Sequence, residues 1–140
     1  MLAFKILHRI GIVLGFGGAL LSCAYMLRVK TDEMKLRSGR IARRVSISTW
    51  TGLALLIFSG IPLTMDFESG YNILFLIKHL CVIIIITDAL IIHFLLFPRY
   101  FRQIGTPDFK RTYNLMKRIG TLSITCWVAT VVISIFFSKI

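Results

Sequence analysis

Within the apolar stretch "NILFLIKHLCVIIIITDALIIHFLLFPRYF" (residues 72–101) stand Lys78, His79, Asp88 and His93. Ionisable groups at bilayer depth are costly, so they are expected to face other helices and to mark ligation or proton movement. A third histidine, His8, lies in another apolar run beside Arg9. Neutral imidazole ligates iron, copper and zinc. If the first and third apolar runs cross a membrane in the same direction, His8 and His79 fall at similar depth, each beside a cation, Arg9 or Lys78. A b-type haem takes axial ligands on opposite faces of its iron and cations for its two propionates. His8 and His79 are therefore the candidate metal ligands, with Arg9 and Lys78 as cofactor-binding partners. On a straight helix His79 and His93 share a face, about 40° apart in angle but about 21 Å apart along the axis, so they cannot clamp one iron.

Around the first run, Gly11, Gly15, Gly18 and Ser22 fall within about 80° of His8. Small residues there admit either a flat macrocycle or another helix. Asp88 and Lys78 are the candidate catalytic groups. Asp88 is expected to face the bundle interior, with Trp50, Thr51 or Ser123 as partner, either moving protons or serving as a structural acid. An alternative metal site, suited to Cu(I), would use Cys23, Met26, His93 and Cys126. The three cysteines, Cys23, Cys81 and Cys126, fall in three different runs without CxxC spacing, which favours packing over disulfides.

The elements that must position these groups follow from composition. Of 140 residues 56% are hydrophobic and 16% charged, with mean hydropathy +0.81. That balance excludes an ordinary soluble domain and predicts an all-α, integral membrane four-helix bundle forming one domain. Four runs, about 4–27, 45–65, 73–97 and 119–137, are long enough to cross a hydrocarbon core of ~30 Å. Seven of the 17 Lys and Arg lie in residues 28–44 and six in 98–118, while Lys5, Arg9, Lys78 and Lys139 lie toward the other side with the acidic turn "DFESGY". This asymmetry predicts both long basic loops in the cytoplasm and both termini outside, in a bacterial inner membrane. The net charge of +11 then reports topology and attraction to anionic membrane lipids, and nucleic acid is excluded as a partner because the charges flank apolar spans. The start, with its "LLSC", also resembles a lipoprotein leader, although the basic cluster from Arg28 reads instead as the cytoplasmic stop of a true span. Pro98 and Pro107 bracket a short interfacial helix with Tyr100, Phe101 and Ile104 toward lipid. Pro62 is expected to kink or end the second span.

"FKILHRIGIVLGFGGALL" carries a Lys-x-x-His-x-x-Gly pattern leading into a glycine-rich run, and it resembles the first helix of the HemJ and CopD-like superfamily of small membrane proteins. "RIARRVSISTWTGLALLIFSGIPL", "IKHLCVIIIITDALIIHFLLFPRYF" and "RTYNLMKRIGTLSITCWVATVVISIFF" are similar to its second, third and fourth helices, so the resemblance covers most of the chain. It implies haem b and protoporphyrinogen oxidation in the HemJ branch, and copper movement in the CopD branch. His8, Lys78 and His93 match the family's first-helix His, third-helix Lys and third-helix His. The chain departs from HemJ in lacking an Asn-Glu-x-Pro pattern at the fourth helix, and in spacing Lys78 from His93 about one turn more widely. It looks closest to the branch with no assigned function. Residue depth favours His8 with His79, whereas the resemblance gives weight to His93.

The resulting expectation is a membrane redox protein holding b-type haem, for electron transfer or porphyrin oxidation. The alternatives are a copper-handling or transport protein, and a non-catalytic subunit of a membrane complex, with homo-oligomerisation also open.

Overall fold

The computed structural model describes residues 2–28, 30–65 and 73–137. Helix α1 spans Leu2–Leu27, α2 Asp32–Met65, α3 Ile73–Leu90, α4 Phe97–Gln103 and α5 Phe109–Phe137, with a π-helical stretch, Ile91–Leu96, joining α3 to α4. Among the described residues four helical units are long and apolar enough to cross a membrane: α1, α2, α3 continued through α4, and α5. The acidic turn at 66–71 lies outside the described residues.

The second span starts earlier than its hydropathy suggests. Thr31 caps α2, its hydroxyl accepting the Met34 N–H at 3.2 Å, and Asp32 and Glu33 occupy the first turn. Acids there complement the helix dipole, and a 2.6 Å Asp32–Lys35 ion pair holds them. The segment expected as a basic loop is therefore mostly helix. At 34 residues α2 is about 51 Å long, well beyond one hydrocarbon thickness. At its other end Pro62 lies within the helix, which continues to Met65. Proline forfeits a single hydrogen bond there, one turn from the terminus.

The π stretch has an identifiable cause. Pro98 has no N–H to offer the carbonyl of Phe94, and its ring crowds that carbonyl. The chain widens ahead of it, and the Phe97 N–H bonds Ile92 O, five residues back.

Helix α1 packs chiefly along α2 and more lightly on α5, α3 packs on α5, and α4, its continuation, packs on α2 and α5. The α1–α2 seam is made by glycine. A Cβ on Gly18 would meet Thr49 Oγ1 at 2.6 Å, one on Gly11 would meet Gly52 O at 3.0 Å, and one on Gly52 would run into the Gly15 backbone. On its other side Gly15 admits the Trp127 ring, 2.5 Å from where its Cβ would lie. Trp127 centres a core with Leu53, Ile85 and Cys126. A second core, at the basic end, joins Ala42, Leu96, Phe97, Tyr100, Phe109 and Met116.

This second core corrects the interfacial-helix expectation. Tyr100 is 0% exposed, and its hydroxyl donates to Lys35 O at 2.9 Å. Phe101 and Ile104 are half-buried. The reason is Gly39 on α2, whose missing side chain leaves room for the Tyr100 and Phe101 rings.

Candidate functional site: a basic cavity beside His93

Leu36, Arg40, Arg43, Arg44 and Ile47 recur on α2 at intervals of three and four residues, which stacks them on one face. Opposite that face come His93, from the π stretch, and Phe101, from α4. Together these residues line a cavity of about 640 Å³. Its polar wall is three guanidiniums and one imidazole; its apolar wall is Leu36, Ile47 and Phe101. Among the described residues the ion pair found is Lys35–Asp32, so no described carboxylate neutralises the three arginines.

The hydrogen bonds around His93 decide its chemistry. Ser46 donates its hydroxyl hydrogen to Arg43 O at 2.7 Å. A hydroxyl has one hydrogen, so its 3.2 Å contact with His93 Nδ1 must be one in which Nδ1–H donates to Ser46 Oγ. The neutral ring then keeps its lone pair on Nε2. Trp50 meets the ring edge-on at 6.1 Å between centroids, and Phe97 does so at 6.3 Å. Arg43 acts on it electrostatically.

The same logic governs His8. Ser59, 0% exposed, donates to Leu55 O at 2.6 Å and therefore accepts from His8 Nδ1, 3.1 Å away. Nε2 of His8 is again the atom left with a lone pair. The α3 residue that acts on His8 is Lys78.

His79, by contrast, is exposed, and its Nδ1–H donates to Phe75 O at 2.8 Å. Its ring lies against the Phe75 ring at 4.2 Å between centroids. The expected His8–His79 clamp is thus not assembled, because successive helix residues point about 100° apart and α3 turns Lys78, not His79, toward His8. Arg9 is exposed as well. Gly11 and Gly15, expected to admit either a macrocycle or another helix, admit α2 and the Trp127 ring.

Asp88 is 6% exposed, and its Oδ2 has no hydrogen-bond partner. Two of its three expected partners are engaged elsewhere: Thr51 donates to Ile47 O on its own helix, and Trp50 lies against His93. Cys126 instead approaches both Cys81 and Asp88. Cys81 on α3 precedes His93 in the π stretch by twelve residues, roughly 18 Å, so Cys126 and His93 stand at different levels. Cys23 lies toward Gly120 of α5, and Met26 packs in the basic-end core. The proposed copper ligands are therefore dispersed, and among the described residues no group of three or more His, Cys, Asp or Glu could hold a metal ion.

The arginines missed as site residues had a legible signal, their spacing on one helical face, which their reading as topology determinants masked. Among known proteins the chain matches no family model, no curated protein and no solved structure.

Proposed function

We propose that the protein is an integral membrane protein that binds an anionic amphiphile in the cavity at the basic end of its bundle. One observation carries this reading: three arginines without a described carboxylate partner share a cavity with an apolar wall. Guanidinium forks suit phosphate or carboxylate oxygens, and Leu36, Ile47 and Phe101 suit a hydrocarbon tail. With 13 of 17 Lys and Arg in the two basic segments, the positive-inside rule puts this end in the cytoplasm and the cavity at the inner leaflet. Native mass spectrometry of the purified protein tests the reading. A retained anionic lipid or amphiphile, lost in the Arg40→Gln/Arg43→Gln/Arg44→Gln variant, supports it; retention unchanged by that variant refutes it.

A second reading rests on His93, whose ring lines the same cavity and whose Nε2 keeps the lone pair in the neutral form. A b-type haem would be held there by His93 with the arginines toward its propionates, and His93 is the residue to which the HemJ resemblance gives weight. The group would supply one-electron redox chemistry; the chain supplies ligation, charge and an apolar wall. A Soret band that disappears in His93→Ala supports this reading, and a colourless protein from haem-replete cells rejects it.

A further inference from the structure

The hydrogen-bonding inventory of the cavity narrows the ligand further, on the reading that it binds an anionic amphiphile. Arg40, Arg43 and Arg44 are donors only, and their charge favours negative oxygen over neutral acceptors. His93 differs. Its Nδ1–H is held by Ser46, whose own hydrogen is committed to Arg43 O. What His93 can offer an occupant is Nε2, an acceptor in the neutral ring, and with three guanidiniums already around the cavity the neutral ring adds no further like charge. An occupant that satisfies every group therefore carries an anion and, beside it, a neutral donor such as a hydroxyl, since an ammonium would set a further like charge among three guanidiniums.

The walls indicate where that occupant comes from. Ile47 is 62% exposed on the outer surface of α2, on the side of the arginines toward the apolar span, so a tail lying on it continues into the surrounding hydrocarbon. We infer that the cavity selects a membrane lipid whose phosphate headgroup also bears a hydroxyl, the phosphate meeting the arginines and the hydroxyl donating to His93 Nε2.

The test compares lipids that differ by that hydroxyl. The full-length protein is reconstituted in nanodiscs of phosphatidylcholine doped with phosphatidylglycerol, or with phosphatidylmethanol, which has the same charge and no headgroup hydroxyl. Annular lipid is stripped by detergent exchange and the retained lipid counted. Phosphatidylglycerol is expected to be retained about 2- to 10-fold over phosphatidylmethanol, the range of one net hydrogen bond. His93→Phe should abolish that preference and leave the preference of both anionic lipids over phosphatidylcholine. His93→Gln, which restores an acceptor, should recover part of it. Arg43→Gln should weaken both anionic lipids about 5-fold.

Equal retention of all three lipids overturns the underlying anionic reading. Anionic preference without hydroxyl discrimination, or discrimination that survives His93→Phe, overturns the present inference alone. Soluble glycerol phosphate that displaces phosphatidylglycerol assigns the site to a free organophosphate and overturns the lipid assignment. Ser46→Ala, which frees the His93 ring without touching the cavity wall, provides a second variant should His93→Phe fail to fold, and it should also reduce the discrimination.

Discussion

Two serines, Ser46 and Ser59, each hand their single hydrogen to a backbone carbonyl of α2 and thereby set the tautomer of a histidine on another helix. The histidines alone do not carry this information. Either ring nitrogen of a free imidazole can bear the proton, and only a neighbour without a spare hydrogen forces it onto Nδ1. Ser59→Ala leaves His8 Nδ1 without its partner. Coupling between Ser59 and His8 in a double-mutant cycle, read by unfolding in mixed micelles, should be about 0.6 kcal/mol, the usual strength of an interhelical hydrogen bond in lipid. Asp88 is the opposite case, a buried carboxyl with Oδ2 unpartnered. Replacing such a group by an apolar one removes its desolvation cost. Asp88→Leu is therefore expected to raise unfolding free energy by about 1–3 kcal/mol, read in the same assay.

At the scale of elements, glycines in α1 that look alike in sequence do different things. Gly15 lies between the Trp127 ring and Gly52, whereas a Cβ on Gly17 would meet nothing within 4 Å. Gly17→Ala should stabilise by about 0.5–1 kcal/mol, because alanine is the better helix former. Gly15→Ala must push Trp127 or α2 aside and should destabilise by about 1–3 kcal/mol, an overpacking cost. The contrast, measured by thermal unfolding in detergent, checks the α1–α2 seam directly. The join of α3 and α4 makes a second prediction. Pro98 causes the widened turns that carry His93 toward α2, so Pro98→Ala should let the segment tighten to α-helix. The variant is expected to keep its helicity by circular dichroism and to lose retained anionic lipid.

For the whole molecule, charge and apolar surface are divided by end. The cavity sits where the arginine-bearing turns of α2 face the π stretch and α4, whose Tyr100 and Phe101 rings lie over Gly39. Its arginines are exposed, and exposed charges are screened within about 8 Å at physiological salt. Retention of an anionic amphiphile should accordingly fall as ionic strength rises from 0.05 to 0.5 M, to a residue set by the apolar wall.

The features legible without coordinates are those that depend on summed local properties. Four apolar runs appear as four helical units long enough to cross a membrane, because hydropathy and length are sums over a window. Even the early start of α2 was written in Thr31, Asp32 and Glu33, a capping signal that hydropathy overlooks. Only the tertiary structure decided which polar groups meet. His8 and His79 are expected at matching depth, yet His79 lies exposed against Phe75 and it is Lys78 that acts on His8. Gly11 and Gly15 look like a cradle, yet α2 and Trp127 fill it. His93 is carried to three arginines by a turn that Pro98 widens. Depth along a helix is fixed by counting residues; rotation about its axis is fixed by what packs against it, and a helix residue's neighbours on other helices are a property of the whole bundle.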